Sequence, residues 1–270
     1  RLLMATKYEM NLVKLFQQFQ DDDACRDYLE SLRWPEGVRC LRCQSERISG
    51  RSKRGQYECY VCNYQFSVTV GTMLQDSHME LSKWFLATYL MIEAKKGVSA
   101  SQLKRTLDIK SYRTAWYLCH RIRAAMHEAY PSPLKGIVEV DETFIGGEAK
   151  GKGRGFTGNK AVVVGAVQRD GKIVLQVTKD RTRATLHDFI NKNVADNAEA
   201  IYTDDWAAYR GIGDENTRHE TVNHSIEEYV RGDVHTNTVE GVWSLFKRSV
   251  IGSFHKISIK HLDAYLDELE

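Results

Sequence analysis

Nowhere in its 270 residues does the chain run about 18 apolar residues without a charge, so no segment has the length and character of a membrane-crossing helix. An apolar leader is also missing: the first thirty residues carry Asp21, Asp22 and Asp23 where a signal peptide would hold an unbroken apolar core. Together these absences predict a soluble protein of the cytoplasm. Net charge is nearly absent too. With 38 Lys and Arg against 36 Asp and Glu, the balance of +2 gives no global attraction to nucleic acid, so any such role has to come from where the charges lie. Repeats and extended low-complexity tracts are lacking, and with them the solenoid and fibrous classes. Hydrophobic content of 42% with 10% aromatics is enough for two or three cored units.

Six cysteines would suit a small secreted disulfide scaffold, but four of them fall in two CxxC pairs in a chain with no secretory feature. That pattern favours metal in a reducing compartment. Cys25 and Cys119 stand outside it, each among helical apolar residues, and read as small buried hydrophobes.

Periodicity divides the chain into four stretches. Residues 1–35 read as two short helices interrupted at Asp21 to Asp23, with Trp34-Pro35-Glu36-Gly37 as a boundary. Residues 36–72 hold the cysteine pairs. Residues 78–132 read as three helices: Glu80 to Lys96, a second opened by the capping box Ser99-Ala100-Ser101-Gln102, and a third beginning after Ser111. Residues 136–270 change to strands at Ile137, Ala161, Lys172, Ala200 and His219, with helices over Thr185 to Val194 and Val239 to Val250. The order of three strands, helix, strand, short helix, strand, helix is that of an RNase H-like mixed sheet. The expected fold is therefore α+β and multidomain: an N-terminal zinc ribbon, a helix-turn-helix-like helical unit and a C-terminal RNase H-like catalytic domain.

Cys40-Leu41-Arg42-Cys43 and Cys59-Tyr60-Val61-Cys62 are separated by fifteen residues, the spacing at which two CxxC turns supply four thiolates to one tetrahedral Zn²⁺. Four sulfurs close the coordination sphere, which makes that ion structural. The surrounding segment from Arg33 to Phe66 is locally basic, with seven Arg or Lys against three acids. In the helical unit, Lys110, Tyr112 and Arg113 open the third helix, where a helix-turn-helix would meet DNA, with Arg121 and Arg123 further along. Gly146 to Lys160 contains six glycines and the bases Lys152 and Arg154; it reads either as a flexible connector or as a loop tracking a DNA backbone.

Asp141 closes the strand that begins at Ile137, Asp204 follows Ile201-Tyr202-Thr203, and Glu240 lies on the helix after the last strand. In an RNase H-like sheet these three positions converge on one edge. Two alternatives stay open: Asp205 beside Asp204, where alternation sends neighbours to opposite faces, and Asn237 one turn before Glu240.

The set Trp34-Pro35-Glu36-Gly37 with the ribbon, Val140-Asp141-Glu142-Thr143-Phe144, Thr203-Asp204 followed by Tyr209, and His235-Thr236-Asn237-Thr238-Val239-Glu240-Gly241-Val242-Trp243-Ser244-Leu245-Phe246-Lys247-Arg248 resembles the bacterial insertion-sequence transposases of the zinc-ribbon group related to eukaryotic Merlin elements. The resemblance spans nearly the whole chain. It implies a DDE enzyme that binds terminal inverted repeats of double-stranded DNA and carries out cleavage and strand transfer with two Mg²⁺ or Mn²⁺ ions. It further implies Asp141, Asp204 and Glu240 as metal ligands and Lys247, with Arg248 beside it, as DNA contacts. A homodimer or higher homo-oligomer on DNA, in a bacterial nucleoid, is the corresponding expectation. Two rival readings share parts of the pattern: a zinc-ribbon DNA-binding protein with an inactive RNase H-like domain, and an RNase H-like nuclease. Trp243, between Glu240 and Lys247, reads mainly as core.

Overall fold

Asp21 accepts the N–H of Ala24 through its side chain, and Asp22 and Asp23 occupy the first turn of the helix it opens, where negative charge complements the unpaired N–H groups. The acidic break in the sequence is thus a helix start. The computed structural model describes residues 10–127, 131–146, 160–223, 228 and 230–269. Contacts divide the chain into two units, Arg1–Glu93 with Ala100–Ala125 and Ala94–Ser99 with Met126–Glu270. No described helix is long and apolar enough to cross a membrane.

The first unit holds α1 (Leu12–Gln18), α2 (Asp22–Arg33), the antiparallel pair β1 (Gln56–Glu58) and β2 (Gln65–Ser67), then α3 (Leu81–Glu93), α4 (Ala100–Thr106) and α5 (Tyr112–Met126). Leu103, Leu107, Ala115, Leu118, Cys119 and Ile122 are all buried, as the helical spacing requires. Cys25 and Cys119 are both wholly buried, in keeping with their reading as small hydrophobes. Two arginines expected to strengthen a DNA-facing α5 are instead structural. Arg123 is 2% exposed, and Arg121 donates to the Gln75 carbonyl at 2.5 Å with its guanidinium 5.3 Å from the Trp84 ring centre. Helical periodicity places Arg123 on the buried face with Cys119, while Arg121, half-buried, is held by Gln75 and Trp84; charge counting along the sequence passes over both.

In the second unit, β3 (Ile137–Ile145), β4 (Ala161–Gln168), β5 (Ile173–Thr178), β6 (Ala200–Asp204) and β7 (Arg218–Val222) form one sheet in the order β5-β4-β3-β6-β7. The hairpin strands β4 and β5 are antiparallel to their neighbours, while β6 runs parallel to β3 and β7 parallel to β6. This is the RNase H-like arrangement. Helix α6 (Arg183–Asn193) covers one face through Leu186, Phe189 and Ile190, packed on Val138, Val140, Val162 and Val164. Helices α7 (Asn237–Ser249) and α8 (Leu262–Asp267) cover the other through Val239, Trp243, Phe246, Leu262 and Leu266, packed on Val163, Val167 and Leu175. Strand β4 is buried on both faces and reads as a continuous apolar run for that reason.

One buried charge fixes α7 to the sheet. Thr236, the residue before α7, makes no side-chain cap. The carboxylate of Glu139 on β3, 0% exposed, takes its place: it accepts the N–H groups of Thr238 at 2.8 Å and Val239 at 3.2 Å, and the Thr238 hydroxyl at 2.9 Å. Arg169, in the turn after β4, donates to the same carboxylate at 2.8 Å and also bonds the His235 carbonyl. Removing the acid would leave Arg169 and the first turn of α7 without their acceptor. Glu139→Ala is therefore expected to lower the unfolding free energy in urea by about 3 kcal/mol or more, with Glu139→Gln milder because an amide oxygen still accepts N–H. Equal stability of the alanine variant and the parent would refute the clamp.

Candidate active site and four-cysteine site

The parallel pairing of β3 with β6 runs Ile137↔Ala200, Val138↔Ile201 and Glu139↔Tyr202, and stops there. Two residues further along in the same register lie Asp141 and Asp204. Strand alternation keeps them on the face of Glu139 and Tyr202, the face covered by α7. Asp141 does not end its strand, contrary to the sequence expectation: β3 continues to Ile145 because its other edge remains paired with β4 through Ile145↔Ala161. What ends at Asp141 is the contact with β6. The two strands part, and the two carboxylates face each other at the head of the gap.

Trp243 of α7 closes one side. Its indole N–H donates to Asp141 Oδ2 at 2.9 Å. The ring lies flat against β4, where Gly165 is the residue paired with Asp141; a Cβ at Gly165 would meet the indole at 2.6 Å. Trp243 is thus core, as its 4% exposure says, and also a hydrogen-bond partner of the candidate ligand. Glu240, one turn earlier on α7, is exposed and accepts the Thr236 hydroxyl at 3.0 Å. Asn237 begins the helix and is also exposed. Asp204 accepts the N–H of Trp206 at 3.1 Å, whereas Asp205 takes an amide hydrogen from Asn223.

The Asp141 carboxyl is pushed up to about 7, first by burial and then by the charges of Glu142 and Asp204, against the opposing hydrogen bonds from the Glu142 N–H and Trp243. Asp205 is not among these charges. Among the described residues, the three acids do not draw their oxygens within 4.8 Å of one another; the group that does converge so closely is the cysteine set.

That set is formed by two matching turns. Cys40 and Cys59 each accept a backbone N–H on sulfur, from Arg42 and Val61, both at 3.4 Å. Gln44 and Asn63, just after the second cysteine of each pair, take φ of 59° and 54°, which turns each loop back toward its start. The sulfurs of Cys40 and Cys62 lie 3.5 Å apart and those of Cys43 and Cys59 3.6 Å apart. Tyr57 and Phe66 stack beside the cluster, and Tyr57 donates to Glu30 of α2 at 2.9 Å. Much of the local basic charge is spent on structure: Arg33 donates to the Val68 and Val70 carbonyls, Arg39 pairs with Glu46, and Arg51 pairs with Asp27 and Glu30.

Lys110, Tyr112 and Arg113 are exposed at the start of α5, with Arg113 5.5 Å from the Tyr117 ring centre. Lys247 and Arg248 are exposed in the last turn of α7, on the helix that carries Glu240. Lys152 and Arg154 lie outside the described residues. Sequence reasoning missed Glu139, Arg169 and Glu142. Their signal was present as three acids in Glu139-Val140-Asp141-Glu142, too many for a strand half-buried on each face unless each has a partner.

A folded state that holds a proton on Asp141 binds more protons than the unfolded chain between roughly pH 4 and 7, so stability falls as pH rises through that window. In magnesium-free buffer, Asp141→Asn is expected to flatten this slope and to raise the unfolding free energy at pH 8 by about 2 kcal/mol or more. Urea unfolding at a series of pH values measures it. An unchanged slope would assign the penalty to another group.

Comparison with known proteins follows the same division. Residues 133–270 match the ISXO2-like transposase domain model, and residues 20–65 match the transposase zinc-ribbon domain model. An uncharacterized protein in transposable element ISH50 of Halobacterium salinarum is 30% identical over 254 residues, covering 85% of this chain and 83% of that protein. Among solved structures, the HTLV-2 integrase catalytic core domain in complex with magnesium is 14% identical, with 51% of this chain and 84% of that one covered and a TM-score of 0.29. The Mos1 strand transfer complex is also 14% identical, covering 67% and 68%, with a TM-score of 0.31. Both the fold built around the splayed strands and the four-cysteine turns therefore fall within matched regions, and the chain belongs to the ISXO2-like transposase family, with the family's zinc-ribbon domain at its N-terminal side.

Proposed function

We propose that the protein is the transposase of an insertion sequence, binding the element's terminal inverted repeats and cutting and rejoining DNA with two divalent ions, Mg²⁺ or Mn²⁺, at Asp141, Asp204 and Glu240. The observation that carries this reading is the pair Asp141 and Asp204, aligned on one face where the β3–β6 ladder ends, with the Asp141 carboxyl pushed up to about 7 by burial and by the charges of Glu142 and Asp204. Such a pair suits divalent cations, since each carboxylate loses its repulsion when a cation lies between them. Bound there, the ions would supply a metal-activated attacking oxygen and charge compensation at the leaving oxygen.

The chain's own residues do the remaining work. Trp243 fixes one oxygen of Asp141 and so orients the carboxylate for the ion. Glu240, exposed on the helix that the Glu139 clamp positions, would turn to the pair as third ligand, and it is preferred over Asn237 because a carboxylate neutralises a cation and an amide does not. Lys247 and Arg248, exposed beyond it on the same helix, would contact DNA phosphates. Lys110, Tyr112 and Arg113 on α5, within a helical DNA-binding unit over 78–132, together with Lys152 and Arg154 of the glycine-rich segment, would add contacts on the duplex. Cys40, Cys43, Cys59 and Cys62 would hold one structural Zn²⁺, with β1, β2 and α2 packed about it. A homodimer or larger homo-oligomer assembled on two DNA ends, acting in the cytoplasm on the nucleoid, completes the reading.

Two measurements test it. Elemental analysis of purified protein is expected to return one zinc per chain, lost together with the four cysteines when they are changed to serine; less than half an equivalent would remove the ribbon's metal. Glu240→Gln is expected to reduce Mg²⁺-dependent cleavage of inverted-repeat DNA by several orders of magnitude while DNA binding is kept, because the shape survives and the charge does not. Near-normal cleavage by that variant, with Asn237→Ala inactive, would move the third ligand one turn toward the start of α7. Cleavage of an RNA:DNA hybrid in preference to duplex DNA would favour a nuclease, and binding without any cleavage would favour a DNA-binding protein.

A further inference from the structure

Past Glu139↔Tyr202 no ladder holds β3 to β6, yet the distance between Asp141 and Asp204 is what a pair of ions would have to fit. Something other than backbone pairing has to set it. On the opposite face of the sheet from Asp141, the next residue of β3, Glu142, points toward α6, and its side chain is 5% exposed. The Tyr209 hydroxyl donates to Glu142 Oε2 at 2.6 Å, and Arg181 Nη1 lies 3.2 Å from Glu142 Oε1.

Tyr209 belongs to the single helical turn Ala207–Tyr209 that follows β6 and Asp204. Its ring is wholly buried, packed in the core that includes Val140, Leu186 and Ile201. Arg181 precedes α6 and lays its guanidinium 4.4 Å from the ring centre of Trp206, two residues after Asp204. The N–H of Trp206 in turn binds the Asp204 carboxylate at 3.1 Å. Two chains of contact therefore lead from Glu142, beside Asp141, to the segment that carries Asp204: one through Tyr209, one through Arg181 and Trp206.

From this we infer that Glu142 and Tyr209 are positioning residues, a strut beneath the parted strands that fixes the separation of the Asp141 and Asp204 carboxylates and with it the site's affinity for divalent cations. The inference rests on the reading of those two acids as metal ligands. A buried tyrosine tied to a carboxylate at 2.6 Å has little freedom, and Arg181 balances the charge of Glu142, so the strut costs no unpaired ion. Without the hydroxyl, β3 and the turn after β6 would be joined at this point only by side-chain packing and the longer path through Arg181 and Trp206, and the two acids would sample a wider range of separations. Ions would then have to select the fitting one, which weakens binding without removing any ligand.

Tyr209→Phe keeps the ring and deletes the bond. Manganese titration of the purified, zinc-replete protein, with Asp141→Asn as the variant lacking the site, is expected to show affinity about 10-fold weaker for Tyr209→Phe. The Mg²⁺ concentration for half-maximal cleavage of DNA carrying the element's ends should rise by the same factor, while the rate at saturating Mg²⁺ stays within about 3-fold of the parent. Glu142→Gln combined with Tyr209→Phe should be no worse than the more affected single variant, since both act through one strut. Unchanged manganese affinity, or losses that add in the double variant, would overturn the inference, as would a fall in the saturated rate with no change in metal dependence. A parent protein that neither binds manganese at Asp141 nor cleaves DNA would instead remove the reading on which the strut rests.

Discussion

The buried carboxylate of Glu139 is the point on which the second unit turns. A charge with no solvent exposure has to be met by donors on nearly every side, and here they come from two distant parts of the chain: Arg169 after β4, and the start of α7, where the backbone of Thr238 and Val239 and the Thr238 hydroxyl all donate. A helix N-terminus needs acceptors and a buried acid needs donors, and each answers the other. Once that contact forms, the rotation and depth of α7 on the sheet are set. Trp243 then falls over Gly165 and its indole reaches Asp141.

Against this rigid frame the candidate ligands are held at an energetic disadvantage. Asp141 is buried beside Glu142 and Asp204, and its ionised form is disfavoured until something positive arrives. Glu142 escapes the same cost because Arg181 and Tyr209 satisfy it. Neighbouring acids on one strand, pointing to opposite faces, thus have opposite surroundings: Glu142 meets Arg181 and Tyr209, whereas Asp141 meets the charges of Glu142 and Asp204. Under the proposed function a divalent cation would relieve that repulsion.

The four-cysteine turns solve a different problem. Strands β1 and β2 are three residues each, and the buried members of the apolar cluster around them are only Cys40, Tyr57, Cys59 and Phe66, with residues such as Trp34, Ile48 and Tyr64 partly buried against them. A core that small cannot hold a fold by burial alone. Backbone N–H groups directed at Cys40 and Cys59, with left-handed residues at Gln44 and Asn63, shape two loops that bring four sulfurs together. The aromatic stack and the link from Tyr57 to Glu30 join this small unit to α2.

The sequence by itself determined the local pattern: the cysteine spacing, the strand and helix order of the second unit, the helices of the first, and the candidate acids Asp141, Asp204 and Glu240. Each depends on periodicity or short-range spacing, which a linear text records. Tertiary structure decided what long-range pairing controls. Strand β3 runs on past Asp141 because β4, twenty residues later, pairs with its free edge, whereas β6 leaves it. Arg121 and Arg123 look like DNA contacts in a charge count, yet Arg123 lies on the covered face of its helix and Arg121 is held by the Gln75 carbonyl. Glu139, Asp141 and Glu142 are three acids within four residues of sequence, and nothing local distinguishes them. Their roles as clamp, candidate ligand and strut follow from which helix or turn lies against each face of the sheet, since a carboxylate's protonation and partners depend on the groups folding brings to it.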